Sequence, residues 1–230
     1  MQNFDYTGKD NLDVMSFAKN YNNFLVSLVN THAPQSGDIL DFGAGTGFFA
    51  ERLAKDARSV LCVEPDAQQI EEIANKGFKT FSDTNELADA CIDFAYSLNV
   101  LEHIEDDVEA MREIYRVLKP GQCCVIYVPA MPSLYSSMDE KVQHFRRYTK
   151  NELSSKLSKT GFELIECRYA DILGVFATWA YKLFGSKSGD VSVSGLVAYD
   201  RFAFPLSKTM DIVTQRVAGK NVFAVARKPC

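Results

Sequence analysis

Long apolar runs, paired cysteines and an excess of basic side chains are all missing from this 230-residue sequence. No apolar stretch reaches the length of about 20 residues that a transmembrane helix needs, so we expect no integral membrane segment. The six cysteines show no paired metal-ligand spacing, so we predict no metal site and expect reduced thiols. A net charge of −5 gives no overall attraction for nucleic acid, which we do not expect as a partner.

The first residues, MQNFDYTGKDNLD, are polar and acidic and have no apolar centre of the kind a signal peptide needs. Together with the reduced thiols, this start indicates a cytoplasmic protein. A chain of this length with 47% hydrophobic residues can bury a sizeable core. We therefore predict a single domain over residues 1–230.

Short apolar runs alternate with amphipathic helical patterns from residue 38 onward. The clearest helix, 106–118, has an apolar stripe, an aspartate at its start and the breaker KPG after it. Another helix begins after Thr149, which forms a capping-box pattern with Glu152, and ends near Gly161. Strands that alternate with helices pair in parallel, with helices on both faces of the sheet. The predicted strands are 38–42, 59–63, 78–81, 92–97, 123–128, 162–169 and 221–227.

A glycine-rich turn, DFGAGTG, follows the first predicted strand, where a parallel sheet binds its ligand. The turn has no Gly-Lys-Ser/Thr ending, which a triphosphate loop requires, and Phe48 replaces the third glycine of a dinucleotide loop. Asp41 opposes a pyrophosphate but attracts a cation, and Glu64 at the end of the second strand can accept both ribose hydroxyls. This pair of carboxylates favours S-adenosylmethionine, which carries a sulfonium and an ammonium group.

Five stretches in this order resemble class I S-adenosylmethionine-dependent methyltransferases of the small-molecule type. The segment MDEKVQHFRRYTKNEL is further similar to a subgroup with an H-x-R-R-Y segment after strand five. The resemblance implies an α/β, Rossmann-like class I methyltransferase fold. Its seven-stranded sheet is mostly parallel with the last strand antiparallel, and has helices on both faces and a helical insertion before the last strand. The five stretches are ILDFGAGTGFFAERL, VLCVEPD, IDFAYSLNVLEHIEDD, EIYRVLKPGQCCVIYVPA and TKNELSSKLSKTGFELIE.

The resemblance also implies which residues bind the cofactor within a core over residues 38–170. Asp41 would hold the ammonium group and Glu64 the ribose. Asp83 either accepts from the adenine amino group or caps a helix before Glu86, and both interpretations stay open. The other implied residues are Gly43, Ala44, Gly45 and Gly47 at the methionine end, Pro65 beside the adenine, and Leu98 and Asn99 beneath the sulfonium.

Two of the three histidines are candidate bases for removing a proton from the acceptor. His103 follows strand four closely, and either acts near the cofactor or packs against the next helix. His144 lies in the long connection after strand five, where binding loops are common. His32 is given no role.

The same connection contains candidate substrate-binding residues. Arg146 and Arg147 are adjacent, so at most one is expected to reach the pocket and grip a carboxylate or phosphate. The alternative is an ion pair with an acidic neighbour: Asp139, Glu140 or Glu152. Tyr135 and Tyr148 are candidates for an aromatic wall, or for packing alone.

Two helical stretches lie outside the core. An N-terminal helix is predicted over 11–30, and an insertion over 172–219 precedes the last strand at 220–228. Within the insertion, two apolar helical patterns flank the Gly- and Ser-rich GSKSGDVSVSG. We interpret the two stretches as a cap over the acceptor pocket. The alternatives are that the apolar helix of the insertion packs in the core, which we favour for that helix taken alone, or forms a dimer surface or a weak peripheral contact with a membrane. Monomer and homodimer both stay open.

The predicted function is methyl transfer to a hydroxyl of a small molecule such as a sugar, a quinol or phenol, or a secondary metabolite. N-methylation of a small amine is the alternative. A nicotinamide-dependent oxidoreductase is disfavoured by the charge of the turn, and a non-catalytic cofactor-binding protein is the alternative from another class. The sequence SLNV after strand four differs from the motif of nucleic-acid amino-methyltransferases.

Overall fold

The computed structural model describes residues 14–186 and 188–230. Its strands are β1 (Gly37–Phe42), β2 (Arg58–Val63), β3 (Lys79–Phe81), β4 (Ile92–Leu98), β5 (Leu118–Pro129), β6 (Glu163–Ala170) and β7 (Asn221–Arg227). They form one sheet in the order β3-β2-β1-β4-β5-β7-β6. Strand β7 lies between β5 and β6 and runs antiparallel to both, whereas the other observed pairs are parallel. The predicted fold class is confirmed.

Helices cover both faces of this sheet. They are α1 (Lys19–His32), α2 (Phe48–Leu53), α3 (Ala67–Asn75), α4 (Asp107–Val117), α5 (Ser137–Lys141), α6 (Lys150–Lys159), α7 (Ile172–Phe184), α8 (Val193–Ala198) and α9 (Phe204–Thr214). A π-helix, Tyr199–Ala203, joins α8 to α9, and short 3-10 turns span Thr84–Glu86, Leu101–His103 and Pro132–Leu134. The predicted N-terminal helix is present in two parts, because residues 14–16 are helical and α1 starts at Lys19 after a break. Its residues 11–13 lie outside the described part of the chain.

Side-chain caps start two helices where the sequence predicts them. The Asp106 carboxylate accepts from the backbone N–H of Glu109 at 3.0 Å, and the Thr149 hydroxyl accepts from that of Glu152 at 3.1 Å. Each bond satisfies a backbone donor that the first helical turn leaves without a partner. These contacts fix the starts of α4 and α6.

Besides one-residue differences at strand ends, two further elements differ from prediction. Strand β5 begins five residues early, because Leu118 already pairs with Ile92 of β4 before a register shift. Helix α8 lies partly inside the Gly- and Ser-rich stretch, which we expected to be irregular. There Ser192 caps the helix by accepting from the backbone N–H of Gly195.

The buried core lies on both faces of the central strands. Alternate residues of β4 and β5 point to opposite sides: Ala95 and Ile126 face α4 and α6, whereas Phe94 and Val125 face α1. Strands covered on both faces are apolar throughout, as residues 123–129 of β5 are. This rigid sheet holds the turns at its carboxyl edge.

Helix α1 and the insertion are joined into one layer. The buried carboxylate of Asp200 accepts from the backbone N–H groups of Asn20 and Tyr21 at 2.9 and 2.8 Å, and so caps α1 from a distant part of the chain. Phe204 packs edge-on against Tyr21 and Phe24, with ring centroids 5.6 and 5.8 Å apart. The two stretches predicted as a cap therefore contact each other directly.

The outward face of this layer is strongly apolar. Most of the exposed large hydrophobic side chains described here lie between residues 176 and 217, including Phe176, Trp179, Phe184 and Phe202. Helix α7 is nevertheless short, and the described residues contain no helix that is long and apolar enough to cross a membrane.

We predict that Asp200→Ala lowers the free energy of unfolding by about 2 kcal/mol, because two helix N–H groups lose their acceptor. Chemical denaturation measures the change. The matched control is Asp190→Ala, which removes an exposed carboxylate of the same insertion that pairs with Lys141, and it should leave the stability nearly unchanged. Equal losses in the two variants would contradict the capping role.

Candidate functional site

A cavity of about 470 Å³ opens at the carboxyl ends of β1, β2 and β4. This is where an open parallel sheet binds ligands, because the connecting turns diverge there. Seven predicted site residues line it: Gly43, Gly45, Glu64, Pro65, Asp83, Asn99 and His103. The structure thus brings four kinds of site residue to one cavity: the glycine turn, the ribose candidate Glu64, the adenine candidates Pro65 and Asp83, and His103.

The glycine turn bends sharply over the end of β2. The backbone N–H groups of Gly43 and Ala44 both donate to the carbonyl of Val63, at 2.9 and 3.1 Å. Gly43 has a φ of +81°, and a Cβ there would lie 2.4 Å from a methyl group of Val100. Only glycine fits both the left-handed backbone and the close contact.

Glu64 is held by the turn that it faces. Its two carboxylate oxygens accept from the backbone N–H groups of Gly45 and Asp66, at 2.9 and 3.0 Å. The side chain is buried, and this burial raises its pKa above the ordinary value. Each oxygen still has a lone pair for another donor, as two ribose hydroxyls would require.

Asp41 lies beneath the turn and is almost completely buried, at 3% exposure. Within the described part of the chain, its Oδ2 has no hydrogen-bond partner. Burial raises the pKa of Asp41 to about 7, and the nearby charge of Glu64 adds to this effect while Tyr96 opposes it. An ammonium group beside Asp41 would offset the cost of burying its charge.

The remaining predicted cofactor residues differ in their contacts and in whether they line the cavity. Asn99 has a φ of +56° and donates from its side chain to the Tyr21 hydroxyl at 3.2 Å, which links α1 to the site. Asp83 accepts from the N–H of Asn85 at 2.8 Å and also lines the cavity, so the capping interpretation is confirmed and the adenine contact stays a prediction. Leu98 packs in the core, and Ala44 and Gly47 also lie outside the cavity lining.

Beside the cavity lies a group of polar side chains that we call the acid–histidine cluster: Glu102, His103, Asp139 and His144. The rings of His103 and His144 are 4.5 Å apart at an angle of 76°. Nδ1 of His144 lies 2.8 Å from Oδ1 of Asp139, and its Nε2 lies 3.9 Å from Oε1 of Glu102. The 3-10 turn after β4 and the segment around α5 supply these residues.

The ionisation of the cluster is set by burial and by Arg147. Burial tends to raise the pKa of Asp139, but the hydrogen bond with His144 and the charge of Arg147 hold it below the ordinary value. Burial raises the pKa of Glu102 to about 8, and burial together with His144 lowers that of His103 to about 3. The ionised Asp139 is the acceptor for a proton on Nδ1 of His144, which directs Nε2 toward Glu102.

The four predicted substrate residues are engaged in the protein itself. Arg147 is buried and donates from Nε to Asp139 at 2.8 Å, so the ion-pair alternative is confirmed for this residue. Arg146 pairs with Asp107 at 2.8 Å, and the buried Tyr148 hydroxyl donates to the same carboxylate at 2.7 Å. Tyr135 donates to the carbonyl of His144 at 2.7 Å.

These contacts hold the connection after β5 against the sheet. In this arrangement neither arginine nor either tyrosine lines the cavity, whereas Phe145 from the same segment does. Arg146 and Tyr148 differ from prediction because Asp107 at the start of α4, which we had considered only as a cap, lies within reach of both. His144 also lies outside the cavity lining, behind His103.

Glu102 and Asp139 are the functional candidates that the sequence analysis missed. Glu102 directly precedes His103 in the chain. Asp139 lies five residues before His144, within the segment MDEKVQHFRRYTKNEL. The aspartate at a fixed distance before His144 was a usable signal. Nothing in the sequence indicated that Glu102 is completely buried.

Comparison with known proteins agrees with this geometry. The sequence profile of a methyltransferase domain matches residues 40–126. Residues 40–126 therefore resemble a methyltransferase domain. This domain covers the glycine turn, Glu64, Asp83 and the turn after β4, and thus most of the predicted cofactor residues.

Two curated relatives and one solved structure extend the likeness. A probable S-adenosylmethionine-dependent methyltransferase of Mycolicibacterium smegmatis is 28% identical over 152 residues, which are 63% of this chain and 57% of that protein. An O-methyltransferase of Pyrenophora dematioidea is 28% identical over 62% of this chain and 60% of its own length. The Haemonchus contortus phosphoethanolamine N-methyltransferase 2, solved with S-adenosylmethionine, has a TM-score of 0.63 and 19% identity, over 90% of this chain and 53% of its own.

The chain spans about half the length of the curated relatives it matches. The domain match and the curated relatives support an S-adenosylmethionine-dependent methyltransferase, with S-adenosylmethionine as its cofactor. The subgroup with the H-x-R-R-Y segment stays a prediction. The likeness to the Haemonchus enzyme is evidence of a shared fold alone, because the identity is low.

We predict that Gly43→Ala weakens binding of S-adenosylhomocysteine at least tenfold, which corresponds to about 1.4 kcal/mol, because the new Cβ meets Val100 and strains the turn. Titration calorimetry measures the affinity. Gly77→Ala is the matched control: its φ of +86° is similarly unfavourable for alanine, but nothing lies within 4 Å of the new atom. The control should lose stability and keep the affinity; equal affinities in both variants would count against the close contact.

Proposed function

We propose that this protein transfers a methyl group from S-adenosylmethionine to a hydroxyl of a small molecule. The observation that carries the proposal is a pair of buried carboxylates at one edge of the sheet: Glu64, which lines the cavity, and Asp41, which lies beneath the glycine turn and outside the lining. Asp41 has a buried oxygen without a partner in the described chain, and Glu64 is held by the glycine turn. Two negative groups at this edge favour a cationic cofactor over a dinucleotide.

In this proposal the chain's residues bind the cofactor along its length. Asp41 pairs with the ammonium group, the backbone of the turn from Gly43 to Gly47 contacts the methionine end, and Glu64 accepts from the ribose hydroxyls. Pro65 and Asp83 lie beside the adenine, and Asn99 lies below the sulfonium. When bound, S-adenosylmethionine supplies an electrophilic methyl group and a sulfur that leaves as a neutral thioether.

The acid–histidine cluster activates the acceptor. His103 lines the cavity, and His144 is oriented by Asp139 in the way a histidine base is oriented by a carboxylate. The turn after β4 and Phe145 line this side of the cavity, where they would position the acceptor oxygen. A base of the cluster accepts the proton of the acceptor hydroxyl as the oxygen attacks the methyl carbon.

O-methylation is favoured over N-methylation because the cluster offers groups that can remove a proton, which a neutral amine does not need to lose before it attacks. The named O-methyltransferase among the relatives supports the same choice. Among the described residues, none from α1 or the insertion lines the cavity. The role of this layer as a cap over a partly apolar acceptor therefore stays a prediction. Contact of the outward face with a membrane or a second copy stays a prediction.

The test combines cofactor binding with transfer of a labelled methyl group to extracts of small molecules. S-adenosylhomocysteine should bind and NAD should not. His144→Ala should lower the rate of transfer at least ~100-fold and leave the affinity for S-adenosylhomocysteine unchanged, because its role concerns the acceptor. His32→Ala, the histidine remote from the cavity, is the control and should keep the full rate.

Two results would contradict the proposal. Binding of NAD in preference to S-adenosylhomocysteine would reject the cofactor, and an unchanged rate in His144→Ala would reject the role of the cluster.

A further inference from the structure

We propose that Glu102, His103 and His144 bind a divalent transition-metal ion at the edge of the cavity. One carboxylate oxygen of Glu102 and one ring nitrogen of each histidine lie within 4.8 Å of one another. Two imidazoles and a carboxylate are a ligand set for zinc, iron, manganese or cobalt, whereas calcium and magnesium prefer oxygen alone. The inference rests on the proposed function and specifies how the cluster activates the acceptor.

The three ligand atoms can share an ion if the side chains move by about 1 Å toward one another, since they lie within 4.8 Å. Metal–ligand bonds of about 2.0–2.2 Å place neighbouring ligand atoms roughly 3 to 3.5 Å apart. Nε2 of His144 and Oε1 of Glu102 are 3.9 Å apart, which is too long for a hydrogen bond between them. A metal ion bound between the two atoms would explain why they lie close together without forming a hydrogen bond.

His144 is oriented as a metal ligand is. Metal-bound histidines commonly donate their other ring N–H to a carboxylate, which fixes the ring and increases its basicity. Asp139 provides this contact at Nδ1, and Arg147 fixes Asp139 through a bond of 2.8 Å from Nε. The remaining nitrogen, Nε2, is then directed at Glu102.

Glu102 supplies the independent observation. Its side chain is completely buried, and neither carboxylate oxygen has a hydrogen-bond partner among the described residues. Leaving such a group without a partner is costly, and retaining it beside two histidines favours an interaction with a cation. A purely structural glutamate would be expected to accept hydrogen bonds from its surroundings.

The position of the ion follows from His103, which belongs both to the ligand set and to the cavity lining. Three protein ligands leave coordination positions for water or substrate, as in catalytic metal sites. An acceptor hydroxyl bound there would lose its proton more readily. The substrate class is therefore a hydroxyl compound whose oxygen can coordinate a metal.

The experiment titrates Co²⁺ into the full-length protein after removal of metals with a chelator, using calorimetry and the visible absorption of bound Co²⁺. One equivalent should bind with micromolar or tighter affinity. Glu102→Gln, which preserves the shape of the side chain, and His144→Ala should each weaken binding at least ~10-fold. His32→Ala is the matched control and should bind Co²⁺ normally.

Absence of saturable binding at millimolar Co²⁺, or binding that neither Glu102→Gln nor His144→Ala weakens, would overturn the inference. Circular dichroism of both variants shows whether they are folded. Methyl transfer at the full rate by metal-free protein would also overturn it, and would leave the proposed function standing with the histidines as bases. Loss of S-adenosylhomocysteine binding with normal Co²⁺ binding would reject the proposed function alone.

Discussion

Asp41 is the penultimate residue of β1 and Glu64 directly follows the neighbouring strand β2, and both carboxyl groups are buried at the same edge of the sheet. Their proximity disfavours ionisation of both, and burial raises the pKa of each. A protonated Asp41 stabilises the ligand-free fold fully below about pH 4, and this contribution is lost as the pH rises through about 7. The glycine turn and the cavity lie beside this pair of carboxyl groups, where the cofactor is expected. A cationic ligand would lower the free-energy cost of burying their negative charge.

Three parts of the chain that are distant in sequence meet around this edge. Asn99 connects the site to α1 through Tyr21, and Asp200 of the insertion caps the same helix. On the other side, Asp139 and Arg147 fix the connection after β5 next to the turn that contains His103. The proposed cofactor residues therefore belong to the sheet edge, and the proposed acceptor residues belong to segments packed against it.

Much of the fold could be predicted because buried parallel strands are apolar throughout and helices carry stripes and caps. Strand β7 has its predicted bounds, and Thr149 caps α6 as expected. Helix α8 was missed because local composition favours an irregular chain there, and packing decided otherwise. The glycine turn and Glu64 were predictable from short motifs; the partners of Glu102, Asp139 and Arg146 were not, because those contacts join segments that meet only after folding.

The central claim is that Asp41 carries a charge that the cofactor's ammonium group neutralises. The most direct test is carbon-detected NMR of the Asp41 carboxyl, assigned with the Asp41→Asn variant, as a function of pH with and without S-adenosylhomocysteine. The account predicts a pKa of about 7 in the ligand-free protein and a fall of about one unit or more on binding. A pKa that binding leaves unchanged, or an ordinary carboxyl pKa without ligand, would contradict it.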